Sequence, residues 1–215
     1  MNPDPGSPYP ELLARLDQWT AEARGRHPGI IPCRSGCTDC CHGPFDISVA
    51  DAMLLRSAAR RLPAQVRKAI GRRAEALANR IRAMAPEWGP PWDIRDIGDD
   101  RFDEISSALV SEPCPLLDEK GACLVYDSRP MVCRWMGLGM ITSEGERLEN
   151  ACPIQDRFPG YAELPPQLFD LGGFGDLETP CLEDAAEALL GDAAKAGYET
   201  TIALALDTLR LRQSP

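Results

Sequence analysis

A chain of 215 residues with 44% hydrophobic content is long and apolar enough for a packed core, which excludes wholesale disorder. Its net charge of −10 argues against nucleic acid as a partner, and no apolar run approaches the roughly 20 residues of a membrane span. The opening Met1-Asn2-Pro3-Asp4-Pro5-Gly6 lacks the basic and apolar regions of a secretory signal, so a cytoplasmic location is expected. Thiols there stay reduced, and nine cysteines, an odd number, read as metal ligands or catalytic groups rather than a disulfide scaffold.

In chain order, residues 1–10 read as a flexible leader and 11–215 as a single metal-binding domain. A first helix is predicted from about Pro10 to Arg24, with Leu12, Leu13, Leu16, Trp19 and Ala23 on one face. His27-Pro28-Gly29 ends it, and the Cys33–Cys41 segment follows as a loop. Ser48 is an N-cap signal with Asp51 three residues on, opening a helix through Arg60 that buries Val49, Met53 and Leu54. Pro63 restarts a longer helix to about Met84, whose apolar positions Val66, Ile70, Leu77, Ile81 and Met84 recur at helical spacing. Residues 86–113 look irregular, with a short helix at Phe102–Leu109. A hairpin is expected from Gly139–Thr142 and Arg147–Asn150, turning at Ser143-Glu144-Gly145. Thr179-Pro180 reads as an N-cap and first helical residue, opening a helix to about Leu190. A last helix is expected over about Tyr198–Leu211, with Ile202, Ala205, Leu206 and Leu209 inward, inside a C-terminal helical extension at 180–213. The expected fold is mainly α: an irregular cysteine-rich centre at 33–153, organised by metal and carrying a short β-hairpin, flanked by N- and C-terminal helices.

Charge is segregated. Residues 56–82 hold nine basic side chains (Arg56, Arg60, Arg61, Arg67, Lys68, Arg72, Arg73, Arg80 and Arg82) against Glu75 alone, and residues 163–207 hold ten acids against Lys195. Two solvated helix faces turned toward each other would explain this. So would a docking surface for an acidic protein partner or RNA.

The chemistry lies in the cysteines. The first group is Cys33, Cys37, Cys40 and Cys41, with His42 directly after. Close spacing lets one loop present several thiolates at little closure entropy, and Gly36 and Gly43 let the backbone curl toward them. Adjacent Cys40 and Cys41 project in different directions, so they suit two neighbouring sites or a multi-iron cluster better than one ion. The second group is Cys114-Pro115, Cys123, Cys133-Arg134 and Cys152-Pro153. Cys-Pro steps recur in ferredoxin-like cluster loops, and Arg129 and Arg134 could offset thiolate charge. All-cysteine ligation fits tetrahedral zinc or iron–sulfur. The Cys-Cys pair and the single tight knuckle favour iron or an iron–sulfur cluster, with zinc as the alternative. Cys181, expected in the first turn of a helix where the dipole lowers a thiol pKa, is read as a buried helical cysteine all the same. The Cys33-x3-Cys37-x2-Cys40 spacing equals that of a radical S-adenosylmethionine cluster, but the surroundings show no strand–helix alternation. Leu171-Gly172-Gly173-Phe174-Gly175 follows no strand and reads as a plain loop.

Cys33, Cys37-Thr38-Asp39-Cys40-Cys41, Cys114-Pro115-Leu116-Leu117, and Cys123-Leu124-Val125-Tyr126-Asp127-Ser128-Arg129-Pro130-Met131-Val132-Cys133-Arg134 together resemble the YkgJ-type CxxCxxCC cysteine-cluster family, described as zinc- or iron-chelating. Cys152 matches a further downstream cysteine more loosely. The resemblance spans roughly residues 33–153 and departs in its first spacing, Cys-x3-Cys in place of Cys-x2-Cys. It implies metal binding through Cys33, Cys37, Cys40, Cys41, Cys114, Cys123, Cys133 and Cys152. Three function classes follow: iron or zinc handling or redox chemistry, an enzyme using the cluster, and a structural zinc module docking a partner through the basic helix at 56–82. For the enzyme, flagellin lysine N-methylases carry a similar cysteine region, which points to S-adenosylmethionine-dependent protein methylation.

Overall fold

The computed structural model describes residues 8–33, 36–170 and 172–207. Helix α1 (Tyr9–Gly25) carries Pro10 in its first turn, where a missing N–H costs nothing, and buries the predicted Leu12, Leu13, Leu16, Trp19 and Ala23. It begins inside the expected leader: Tyr9 is buried, and residues 1–7 lie outside the described residues. Strand β1 (Asp46–Ser48) leads into α2 (Val49–Arg61), where the Ser48 side chain accepts the Asp51 N–H. Helix α2 fully buries the predicted Val49 together with Leu55, while the predicted Met53 and Leu54 are half-buried. Helix α3 (Ala64–Met84) buries Ile70, Leu77 and Ile81 as its periodicity predicts, with Ala74 and Ala78 beside them and the predicted Val66 and Met84 half-buried, and α4 (Asp99–Ala108) buries Phe102 and Ile105. Short α5 (Met131–Trp135) carries Cys133.

The predicted hairpin is present as β2 (Met140–Thr142) and β3 (Arg147–Leu148), turning at Gly145 with φ 89°. After α6 (Pro159–Ala162) comes β4 (Gln167–Phe169), an unforeseen strand that pairs parallel with β2. The Trp19 indole of α1 donates to the Leu168 carbonyl of β4 at 2.8 Å, fastening the sheet to the helical layer.

Two C-terminal expectations need correction. Helix α7 spans Phe174–Leu190, so Pro180 sits inside it rather than at its start. An interior proline forfeits a hydrogen bond and costs about 3 kcal/mol. Packing offsets that cost: Phe174 meets Phe169 edge-on at 5.3 Å, and Leu177 packs on the core shared by α1 and α2. The last helix does not begin at Tyr198. Residues Glu199–Thr201 form β5, antiparallel to β1, and α8 runs Ile202–Asp207. The Thr201 hydroxyl accepts the Leu204 N–H at 3.2 Å and so caps α8 at that point. The predicted Leu209 lies outside the described residues.

Helix α8 is buried from Ile202 to Leu206. Ile202, Ala205 and Leu206 join the core around Leu55 and Leu116, while Ala203 and Leu204 join the core of α3 and α4. The segregated charges meet across this contact at one pair, Arg82 with Asp207 at 2.5 Å, while Arg80 pairs with Glu112, outside the acidic segment. Arg60, Arg61, Lys68 and Arg72 remain exposed.

Buried Asp51 of α2 ties three helices together, accepting from the Tyr9 hydroxyl of α1 at 2.7 Å and from the Met131 N–H of α5 at 3.1 Å. Burial pushes its pKa up to about 6, against the lowering effect of these donors. Asp51→Ala removes the acceptor of the Met131 N–H and of the Tyr9 hydroxyl and should lower stability by about 1–3 kcal/mol in urea unfolding, whereas Asp51→Asn keeps an acceptor. The folded pKa of about 6 lies above the ordinary 3.8, so protonated Asp51 favours folding, fully at pH below about 4, and that contribution is lost as pH rises through about 6. Wild type should therefore lose stability relative to Asp51→Asn over that window; a pH-independent difference would contradict this role.

Candidate metal centre

The two cysteine groups are joined by backbone. A turn closes with the Cys41 N–H on the Thr38 carbonyl at 2.8 Å, and the chain then runs antiparallel to residues 112–114. The Gly43 N–H donates to Glu112 at 2.7 Å and the Cys114 N–H to Cys41 at 2.9 Å. Gly43 has φ 89°, a left-handed conformation that glycine adopts without strain. Cys114 and Cys123 sit on a second loop that its own aspartate closes. The Asp118 carboxylate accepts the Lys120 and Ala122 N–H groups, each at 2.8 Å, and Leu124 donates to the Leu116 carbonyl at 2.9 Å. Gly121 of this loop rests against Thr38 of the first loop.

Cys133 rides on α5, which Pro130 opens. The arginines beside it face inward to a shared partner. Buried Arg134 pairs with Asp17 of α1 and donates to the Arg129 and Asp127 carbonyls, both at 3.0 Å; Arg129 reaches Asp17 at 3.1 Å. Sequence reasoning missed Arg24. It projects from the last turn of α1 and donates to the Cys33 sulfur at 3.5 Å. No sequence signal marks it, because the contact depends on how α1 packs.

Cys33, Cys37, Cys40, Cys41, Cys114, Cys123 and Cys133 line one cavity of about 230 Å³, together with Arg24, Arg129 and Arg134. Its apolar wall includes Phe45, Leu116, Val132 and Ile202. Cys152 does not line the cavity; it is buried in a cluster with Tyr161 against which Cys37 packs, and its N–H donates to the Asn150 side chain at 3.0 Å. His42 pairs by backbone with Pro113 and does not line the cavity. Cys181 is in the interior of α7, not its first turn, and its thiol donates to the Leu177 carbonyl at 3.1 Å within the core of α1 and α2. Burial pushes that thiol up, the reverse of a dipole-activated cysteine.

Burial also raises the thiols of Cys33, Cys37, Cys123 and Cys133, and takes Cys114 up to about 12. Cys40 is raised first by its hydrogen bond with the Cys41 thiol and then by burial. Such thiols hold their protons at neutral pH until a cation replaces them. Among the described residues, no three His, Cys, Asp or Glu side chains are gathered as the ligands of one ion are. The thiols stand around a space instead. At about 230 Å³ it far exceeds the roughly 10–15 Å³ that one water-sized sphere needs. An all-thiol donor set of this kind fits zinc or iron–sulfur chemistry.

Cys181→Ala should leave metal content unchanged, while Cys40→Ser and Cys41→Ser should each lower it. Metal analysis of purified variants decides this, and full retention by both Cys40→Ser and Cys41→Ser would remove them from the ligand set.

Among the described residues no helix is long and apolar enough to cross a membrane. No curated protein and no solved structure matches the chain. One family model does, over residues 32–153, and its description reads "CxxCxxCC: Putative zinc- or iron-chelating domain". That span contains the two joined loops, α5 and all eight cysteines of the expected set, and the chain belongs to the CxxCxxCC family.

Proposed function

We propose that this chain is a cytoplasmic protein whose single domain holds iron, as an iron–sulfur cluster or a multinuclear iron centre, and serves in metal handling or redox chemistry. One observation supports the choice of iron: seven cysteines line a single cavity of about 230 Å³. A tetrahedral zinc site with Zn–S bonds of about 2.3 Å needs sulfurs only about 3.8 Å apart and leaves no space among them. A polynuclear core spreads its thiolates over several corners and needs that space. It also needs hydrogen bonds and positive charge at its sulfurs, which tune potential. Arg24 donates to the Cys33 sulfur, and Arg129 and Arg134 stand on the same wall. When bound, such a centre would supply electron transfer or an iron store. The chain's own part is to hold the thiolates, balance their charge and line the space with apolar side chains.

Anaerobically purified protein should be brown, with broad visible sulfur-to-iron absorbance that bleaches with dithionite. Colourless protein with stoichiometric zinc would overturn the assignment. That result would favour a second reading, a structural zinc module that docks an acidic protein through the exposed Arg60, Arg61, Lys68 and Arg72 of α2 and α3.

A further inference from the structure

Spacing alone leaves open whether eight cysteines build one centre or two, and the packing separates them. Cys41, Cys114 and Cys123 belong to one apolar cluster, with Leu55, Leu116, Ile202 and Val132, the neighbour of Cys133. Backbone fixes this group, through Cys114 to Cys41 and through the bridge of Leu117 with Cys123. Cys133 has Cys114, Cys40 and Cys123 within electrostatic reach. Cys37 and Cys152 belong to a different cluster, built on Ile154 and Tyr161. Cys33 joins them by way of Gly137. The Tyr161 hydroxyl donates to the Gly137 carbonyl at 2.6 Å, and the position of a Cβ on Gly137 is 4.0 Å from that of Cys33. Cys33 has Cys40 and Cys152 in electrostatic reach, and Cys37 has Cys33.

We infer that the eight cysteines form two adjacent four-thiolate centres, Cys33, Cys37, Cys40 and Cys152 in one and Cys41, Cys114, Cys123 and Cys133 in the other. The Cys40 and Cys41 side chains do not diverge as the sequence suggested; their thiols touch, and the two centres meet at that contact. A second observation marks both sides. Among the described residues three buried polar side-chain atoms have no hydrogen-bond partner, and two of them are Arg24 Nε and Arg73 Nη2. Arg24 already donates to the Cys33 sulfur. Arg73 lies near Cys114, with its Nε on the Pro115 carbonyl at 2.9 Å. A buried, unpartnered donor is costly. One stands beside each proposed thiolate set, where ionised sulfur would be its acceptor. The division rests on the metal-binding reading of the cavity but not on which metal is bound.

The test is metal and acid-labile sulfide per chain in anaerobic wild type, Cys152→Ser, Cys114→Ser and the double variant. Each single variant should lose about half the metal and the double variant all of it. Complete loss in either single variant would show one cooperative centre and overturn the division, as would full retention in Cys152→Ser. Because a variant could fail for want of folding, reduced metal-free wild type is also titrated with Cd²⁺ alone, following thiolate-to-cadmium absorbance. Saturation at two equivalents supports two centres, and saturation at one overturns them. Absence of iron in the purified protein would sink the iron assignment while leaving both stoichiometric tests intact.

Discussion

The antiparallel contact between residues 41–43 and 112–114 brings together thiols that are far apart in the chain. Its two hydrogen bonds, Gly43 to Glu112 and Cys114 to Cys41, close a long loop through α2, α3 and α4. Loop closure of that length is entropically unfavourable and needs support on both sides. Support comes from the apolar core under it, where Leu55, Ile70, Leu116 and Ile202 meet. With the contact in place, Cys41 and Cys114 face one cavity and the Gly121 loop rests on Thr38. Without it the first loop would have no fixed place relative to the second.

Helices and cysteine loops divide the work. Helices α1, α2, α3 and α8 bury most of the large aliphatic side chains and set the frame. The cysteine segments are short loops held by turns, single bridges and polar ties. Asp17 of α1 takes Arg129 and Arg134, and Asp51 of α2 takes the first N–H of α5. Both ties fix the segment that carries Cys133, and both run from frame to centre. Burial keeps the thiols protonated and neutral, so their ionised form is disfavoured until a cation is there to hold it. Metal binding there would release the protons, and the family this chain belongs to is described as a "Putative zinc- or iron-chelating domain".

Much of this was legible in the sequence, for physical reasons. Helices α1 and α3 carry long stretches with apolar residues at helical spacing, and packing agrees with them. The hairpin was readable because Gly145 supplies the left-handed turn. Cysteine spacing and the stretch from Cys123 through Arg129-Pro130 to Cys133-Arg134 point to the region that forms the cavity. The misses share a cause: tertiary contacts overrode local signals. Thr179-Pro180 is a sound helix start, yet Phe174 and Leu177 gain more by packing on Phe169 and α1 than the interior proline loses. Tyr198 continued a helical pattern, but pairing of Thr201 with Asp46 made the segment a strand. Arg24 and Arg73 could not be assigned from sequence at all, since each acts on a cysteine reached only through the fold.

Metal, not apolar packing alone, should hold the cysteine loops in place. Amide hydrogen exchange on metal-loaded and metal-stripped protein tests it most directly. Stripping should greatly speed exchange at the Cys41, Gly43, Cys114 and Leu124 amides, while Leu16 of α1 and Ile81 of α3 stay protected. Equal protection of the loop amides in both forms would contradict the account.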